Sequence, residues 1–155
     1  MFFVYFSFLY INIAVIAVVV SANTLNRQKR QASYLLPDGV DLLLDRPLTT
    51  NFRCNEAGYY ADIDNDCKIF HVCDISVRPD NVEEIRQYSF ACPNTTMFNQ
   101  FTLTCADERD SIPCAEAQNF FAMNARIGKE NELFHTDADV EDAARYIPSR
   151  NAPAK

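Results

Sequence analysis

Six cysteines constrain this chain more than any other feature, because all of them lie between Cys54 and Cys114. A segment of 61 residues buries too little apolar surface to be held together by a large core. An even number of cysteines in so short a stretch is typical of a disulfide framework, in which each bridge contributes about 2–4 kcal/mol by restricting the unfolded chain. The spacing alone leaves about 15 possible pairings. The sequence therefore predicts a small, disulfide-rich domain with three bridges.

The first 22 residues, MFFVYFSFLYINIAVIAVVVSA, are uncharged and end in small residues. This pattern predicts a signal peptide, residues 1–22, that is cleaved after Ala22. The alternative is an uncleaved membrane anchor, since about 20 apolar residues can span a bilayer. The basic cluster at 27–30 would then stay in the cytosol and leave the cysteines in a reducing compartment. The cysteine content favours a secreted, extracellular chain with no membrane association after cleavage.

The next residues, 23–30, end in Arg27-Gln-Lys-Arg30, which has the form cut by furin-like proteases. Such proteases act on flexible, exposed basic segments. We therefore expect a possible propeptide, with cleavage after Arg30 that leaves Gln31 first. The alternative is a solvated basic patch that is not cut.

Charge excludes one class of partner. Residues 1–30 contain none of the 21 acidic residues and three of the 14 basic ones, so the remaining chain carries a formal charge of −10. An acidic surface repels phosphate backbones, which argues against nucleic acid as a partner and disfavours anionic membranes. We expect a secreted monomer.

The chain beyond residue 30 divides into an N-terminal arm, residues 31–52, a cysteine domain, residues 53–115, and a C-terminal tail, residues 116–155. The apolar run Val40 and Leu42–Leu44 predicts that the arm packs against the domain. The tail is acidic and contains two prolines near its end, so we expect it to be partly disordered, with at most short helical turns.

Within the domain, short aromatic and branched runs predict strands. They are Tyr59–Ala61, Ile69–Cys73, Tyr88–Ala91 and Phe101–Cys105, separated by turn formers at Asp64-Asn65-Asp66 and Pro93-Asn94. The polar section Asp74–Gln87 is expected to be a long exposed loop.

The stretch ADIDNDCKIFHVCD, residues 61–74, offers two metal sites. Asp62, Asp64 and Asp66 resemble the start of a calcium loop, but Cys67 stands where that loop requires glycine and Cys73 where it requires glutamate. The aspartates are better explained as turn residues.

Zinc is disfavoured for a different reason. Cys67, His71 and Cys73 could be ligands, but the cysteine gaps of x12, x5, x18, x12 and x8 contain no short CxxC pair. We expect no metal and no cofactor, with His71 packed on a strand.

Catalysis lacks the necessary groups. If all six cysteines are paired, none remains as a nucleophile, and no motif places a Ser/His/Asp set. The carboxylates lie in solvated runs rather than in a buried pair with separated pKa values. We therefore expect a protein that is not an enzyme. Asn94-Thr95-Thr96 predicts an N-glycosylation site at Asn94.

The cysteine spacing and its aromatic residues resemble the chitin-binding type-2 domain, which is also called the peritrophin-A family or family 14 of the carbohydrate-binding modules. The resemblance covers residues 53–115. It rests on six cysteines at compatible gaps and on three matching stretches: Gly58–Asp62, Cys67–Cys73 and Tyr88–Gln100.

This resemblance implies a fold and a pairing. The fold is a small disulfide-rich all-β domain of two short antiparallel sheets, the second a hevein-like hairpin, flanked by irregular or partly helical tails. The implied disulfides are Cys54–Cys73, Cys67–Cys114 and Cys92–Cys105.

The resemblance also implies non-catalytic binding of chitin or N-acetylglucosamine oligomers, as in a cuticle or a gut lining. Aromatic rings stack against sugar ring faces, and Asn side chains bond hydroxyl and amide groups. The candidate contacts are Tyr60, Tyr88, Phe98, Asn99 and Phe101. Phe70 and Phe90 are assigned to the core, since so small a domain has few large apolar residues.

One departure supports an alternative. Members of the family often carry an aromatic residue, commonly Trp, after the fifth cysteine, whereas the segment Cys105–Cys114 has none and the chain contains no Trp. The alternative is a secreted scaffold protein, a venom component or a protein ligand, that retains the fold without strong chitin binding.

Overall fold

The computed structural model describes residues 33–147. The predicted signal peptide, the cleavage sites after Ala22 and Arg30, and the last eight residues lie outside this range. From Tyr34 onward the described residues belong to one compact unit. Between residues 33 and 147, no helix has the length and apolar character needed to cross a bilayer.

Two antiparallel sheets form the domain. Strands β1 (Gly58–Ala61), β2 (Ile69–Val77) and β3 (Glu83–Ala91) make a three-stranded sheet in the order β1-β2-β3. Strands β4 (Thr96–Asn99) and β5 (Thr104–Asp107) make a separate hairpin. Short 3-10 segments occur at Val40–Leu43, Ile63–Asn65 and Glu108–Asp110. The predicted fold class of two small sheets is confirmed.

The three disulfides join the cysteines in the pairing that the resemblance implies. They are Cys54–Cys73, Cys67–Cys114 and Cys92–Cys105, with Cα–Cα distances of 5.5, 5.6 and 5.7 Å. These distances are typical of native bridges. The third bridge links the end of β3 to β5, so it fastens the hairpin to the larger sheet.

The prediction of a long exposed loop at Asp74–Gln87 is wrong. Strands β2 and β3 continue through this section in register, with Ile75 opposite Ile85 and Val77 opposite Glu83. The connection is a tight turn in which Asn81 has a positive φ of 59°. Alternating Ile and Val side chains, together with the backbone ladder, outweigh the polar composition on which the loop prediction rested.

The predicted strand Phe101–Cys105 is displaced. Residues 100–103 form the turn between β4 and β5, and Leu103 there has a φ of 53°. The strand itself is Thr104–Asp107. Leu103 lies in the αL region within this turn, so the strand begins after it and the apolar run is interrupted where the sequence pattern suggested continuity.

The N-terminal arm packs against the domain, as predicted, through Val40 of the predicted apolar run and through aromatic residues outside it. Tyr34 and Val40 are buried, whereas Leu42 of the predicted apolar run is exposed. Phe52 stacks on His71 at a centroid distance of 4.1 Å. Asn65 and the backbone of Thr49 exchange two hydrogen bonds of 2.9 and 2.8 Å. The arm is therefore a structural part of the unit.

The described part of the tail, residues 116–147, contains the short helical segments of the predicted fold class, and these segments pack against the domain. A run of 3-10 turns, Cys114–Arg126, is followed by helix α1, Asp137–Ala144, which starts with a capping box formed by Thr136 and Asp139. The apolar side chains of the tail pack against Phe101 and Ile112 and form a second core with them. The tail residues in this core are Phe120, Met123, Ala143 and Ile147. A few apolar residues spaced along helical turns bury enough surface to order an otherwise acidic segment.

Candidate functional site

Four of the five predicted sugar-contact residues lie in the interior. The exposed fractions are 1% for Phe98, 1% for Asn99, 7% for Phe101 and 9% for Tyr60. A ring that stacks on a sugar, or a side-chain amide that bonds one, must reach solvent, so these four residues are not available as surface contacts in this structure. The domain is so small that its large aromatic side chains are used as core. Tyr88, the fifth, is 46% exposed.

The buried hairpin residues have structural partners. Phe98 stacks on Phe70 at 4.4 Å, and Phe101 stacks on His135 of the tail at 4.1 Å. The Asn99 carboxamide oxygen accepts hydrogen bonds from the backbone amides of Phe101 and Ile112 at 3.1 and 3.4 Å. These contacts hold the turn and join it to the segment before Cys114.

Two side-chain amides that the sequence analysis did not single out bind the outer edge of β1. Asn124 accepts a hydrogen bond from the Tyr59 amide at 2.8 Å and donates to its carbonyl at 2.9 Å. Gln100 accepts from the Ala61 amide at 2.8 Å and donates to the Tyr59 carbonyl, also at 2.8 Å. They satisfy backbone groups that an edge strand leaves unpaired. A Cβ at Gly58 would lie 2.4 Å from Asn124 Cγ, so glycine is required at that position.

The outer face of the larger sheet carries the exposed aromatic residues. Tyr59, Val72 and Tyr88 are in register across the three strands, and Phe70 is opposite Phe90 in the next pair. Side chains at alternate positions of a strand share a face, so these residues lie together. The exposed fractions are 37% for Tyr59, 46% for Tyr88 and 46% for Phe90. We call Tyr59, Val72, Tyr88 and Phe90 the aromatic face.

The core assignment of Phe90 is therefore wrong, and that of Phe70 is correct only in part. Phe70 is half-buried in a stack, 5.3 Å from Phe90 on one side and 4.4 Å from Phe98 on the other. Phe90 is the outer end of this stack. The alternation that groups Tyr88 with Phe90 was visible in the sequence, and the same alternation in β1 was the signal for Tyr59.

Polar groups border the aromatic face at the end of the sheet where the turn joins β2 to β3. Arg86 pairs with Glu84 at 2.8 Å, and Asp74 lies opposite Arg86 in the register. The hydrogen bond from Arg86 lowers the pKa of the Glu84 carboxyl, which is exposed to solvent. Hydrogen-bond donors and acceptors thus lie next to the apolar surface of the aromatic face at this end.

Tyr59 also lines a groove of about 570 Å3 at the edge of the aromatic face that β1 forms. Leu103 of the β4–β5 turn lies beside it, and the opposite wall belongs to the tail, with Ile127 and Phe134. A second cavity, of about 330 Å3, is lined by Phe52, Tyr60 and Phe121 together with polar side chains of residues 53–56. Tyr60 thus borders that second cavity rather than the aromatic face.

The inner face of the same sheet carries a buried polar network. His71 lies between Asp62 and Ser89, with its ring nitrogens 2.8 Å from each side-chain oxygen. Tyr34 and Asn65 also donate to Asp62 Oδ2, at 3.1 and 2.7 Å. Burial, followed by the Asp62 charge, raises the pKa of the Tyr34 hydroxyl.

This series has the connectivity of a Ser-His-Asp triad but not its accessibility. The exposed fractions are 0% for His71, 2% for Asp62 and 7% for Ser89, and Phe52 stacks on the imidazole. A nucleophilic serine must reach a substrate carbonyl. The network therefore joins the arm, the Asp62–Asp66 turn and the sheet, and His71 is packed on a strand as predicted.

The calcium and zinc sites considered for the stretch 61–74 would need side chains that already have bonding partners within the protein. Cys67 and Cys73 belong to different disulfides, and Asp62 is bonded within the polar network. The predicted turn is present, with Asp66 in the αL region at the end of the 3-10 segment Ile63–Asn65. In the described part of the chain, no three His, Cys, Asp or Glu side chains come together as a metal site.

Comparison with known proteins supports the resemblance. Residues 54–114 match the family model described as the Chitin binding Peritrophin-A domain. The chain is also similar to U-scoloptoxin(01)-Cw1a of Cormocephalus westwoodi, with 36% identity over 73 residues, 46% of this chain and 54% of that protein. The chain thus spans about half the length of this relative. No solved structure matches. The disulfide-bridged segment from Cys54 to Cys114 thus matches the peritrophin-A family, the family that its cysteine spacing and aromatic residues resemble.

Proposed function

We propose that this chain is a secreted, non-catalytic protein that binds chitin through the aromatic face. The observation that carries the proposal is the row of exposed rings on the outer face of the larger sheet, at Tyr59, Tyr88 and Phe90. The match of residues 54–114 to a chitin-binding family supports the same ligand.

The chemistry of the aromatic face suits an N-acetylglucosamine polymer. Each sugar unit has an apolar ring face that stacks on an aromatic side chain, and hydroxyl and acetamido groups that bond polar side chains. Tyr59 and Tyr88 lie two strands apart, which separates their backbones by about 10 Å. Two rings at this spacing contact different units of one polymer. Chitin is neutral, so the acidic surface does not repel it.

Retention on chitin beads tests the proposal. The full chain, produced with and without the Asn94 glycan, is expected to bind, and Tyr88→Ala is expected to reduce retention. Leu42→Ala is the control, because Leu42 is 89% exposed and belongs to the arm. If the wild-type chain fails to bind in both glycan states, the proposal is wrong.

A second candidate is a secreted scaffold, a venom component or a protein ligand, that keeps the fold without strong chitin binding. The similarity to U-scoloptoxin(01)-Cw1a favours it. The absence of Trp from the chain favours it too. The bead experiment separates the two candidates, since only the first predicts retention that depends on Tyr88.

Secretion and processing belong to the same proposal. We expect cleavage after Ala22, cutting at the Arg27–Arg30 site, and a glycan on Asn94, which is exposed in the turn before β4. Three disulfides suit an oxidising extracellular location. Mass spectrometry of the mature protein tests all three modifications. A mature chain that retains residues 1–22 would contradict the secretory route.

A further inference from the structure

The groove beside Tyr59 is lined by residues of both the peritrophin-A domain and the tail. One wall contains Tyr59 of β1 and Leu103 of the β4–β5 turn, whereas the other is the segment Arg126–Phe134, which lies beyond residue 114. Tyr59 belongs to both the groove and the aromatic face, so the two surfaces are continuous. The groove, of about 570 Å3, is an open surface depression, a shape that suits a ligand lying along the surface.

The tail wall is held in place by its own hydrogen bonds. Gly128 has a φ of +76°, which lets the chain turn after Ile127. Arg126 Nη1 donates to the Phe134 carbonyl at 3.0 Å and pairs with the Asp139 carboxylate of α1. A wall that is already ordered costs a ligand little conformational entropy on binding.

The charges of the groove disfavour an anionic ligand. Lys129 pairs with Glu132 at 3.3 Å, and Arg126 pairs with Asp139, so each cation in the lining is balanced by a carboxylate, and Glu130 adds a further carboxylate. Between these polar groups, Ile127 and Phe134 supply apolar surface, and Ile127 is 42% exposed. An anionic ligand would gain little here, whereas a sugar has both the apolar face and the hydroxyl groups that this lining matches.

We infer that Arg126–Phe134 completes an extended glycan site, in which a neutral oligosaccharide of N-acetylhexosamine units lies on the aromatic face and continues past Tyr59 into the groove. This inference rests on the proposed function. It assigns part of the binding site to the tail, outside the family domain. Its consequence is that long oligomers bind more tightly than short ones, with Ile127 as a determinant of that preference.

Calorimetric titration of the full chain with the dimer and the hexamer of N-acetylglucosamine tests the inference. The wild-type chain is expected to bind the hexamer more tightly than the dimer. Replacing the partly exposed Ile127 with serine, Ile127→Ser, is expected to weaken hexamer binding about fivefold and to leave dimer binding on the aromatic face unchanged. Leu133→Ser is the matched control, since Leu133 is 75% exposed in the same segment but does not line the groove.

The outcomes separate the inference from the function on which it rests. Equal hexamer affinities for the wild type and Ile127→Ser would overturn the inference and leave chitin binding intact. Equal losses in Ile127→Ser and Leu133→Ser would also overturn it, because the effect would not belong to the groove. If the wild-type chain binds neither oligomer, the proposed function fails and the inference fails with it.

Discussion

The two sheets of this domain use their aromatic residues in opposite ways. The β4–β5 hairpin lies between the larger sheet and the tail, so Phe98 and Phe101 are buried on both sides. The outer face of the larger sheet is only partly covered, so Tyr88 and Phe90 keep about half of their surface exposed. An aromatic residue in such a small domain therefore acquires its role from what packs over it, which sequence position alone does not specify.

The largest expected effect separates the two ends of one aromatic stack. Phe98→Ala is expected to destabilise the fold by about 3–5 kcal/mol, because a fully buried ring is replaced by a cavity. Phe90→Ala, at the exposed end, is expected to cost less than about 1 kcal/mol. Urea unfolding measures both. Similar losses for the two variants would mean that the stack does not have a buried and an exposed end.

The edge of β1 provides a second test, which asks what holds the tail against the larger sheet. Asn124→Ala removes the acceptor for the Tyr59 amide and one of the two donors to the Tyr59 carbonyl. This loss is expected to cost about 1–3 kcal/mol of unfolding free energy. Thermal unfolding measures the loss. Asn119→Ala is the control, because Asn119 bonds only the exposed Glu116 on the same run of 3-10 turns. An Asn124→Ala variant as stable as the control would contradict this role.

The aromatic face is expected to affect binding rather than stability. Tyr88→Ala should weaken chitin binding about tenfold, the loss expected for one stacking ring, with an unfolding free energy within about 0.5 kcal/mol of the wild type. Binding isotherms on chitin beads, paired with urea unfolding, measure the two quantities. A large stability loss would assign Tyr88 to the core instead.

The smallest expected effect concerns the tail and pH. The Arg126 guanidinium and the Thr136 hydroxyl lower the pKa of the Asp139 carboxyl in the folded chain. A lowered pKa contributes stability above the unfolded value of about 4 and loses it as the pH falls through the folded value. Unfolding of Asp139→Asn should therefore differ from that of the wild type at neutral pH and converge with it in acid. A constant difference across this range would contradict the ion pair.

The sequence predicted the features that a family resemblance and local chemistry determine. The resemblance to the peritrophin-A family implied the disulfide pairing and the two-sheet fold, and turn chemistry predicted the turn at Asp64–Asp66. It did not predict the extension of β2 and β3, because polar residues such as Glu83 and Arg86 occupy strands whose outer positions are solvated. It predicted short helical turns in the tail but not the core that they form, in which Phe120 contacts Phe101 of the β4–β5 turn.

The candidate site was predicted only in part for the same reason. Tyr88 was identified correctly as an exposed ring, since alternation along a strand is local. The burial of Phe98 and Phe101 depends on the arrangement of the tail, a tertiary contact that no short pattern reports. Tyr59 was missed because alternation in β1 puts Tyr59 and Tyr60 on opposite faces without saying which face is the outer one, and the pairing of Tyr59 with Val72 of β2 decides it.

The most direct test of the central claim is a titration of the isotopically labelled full chain with the dimer of N-acetylglucosamine, followed by amide chemical shifts. Binding to the aromatic face predicts the largest changes at Tyr59, Val72, Tyr88 and Phe90, with small changes at the β4–β5 turn. If the largest changes occur at residues 98–101 and the aromatic face is unaffected, the result contradicts binding through the aromatic face.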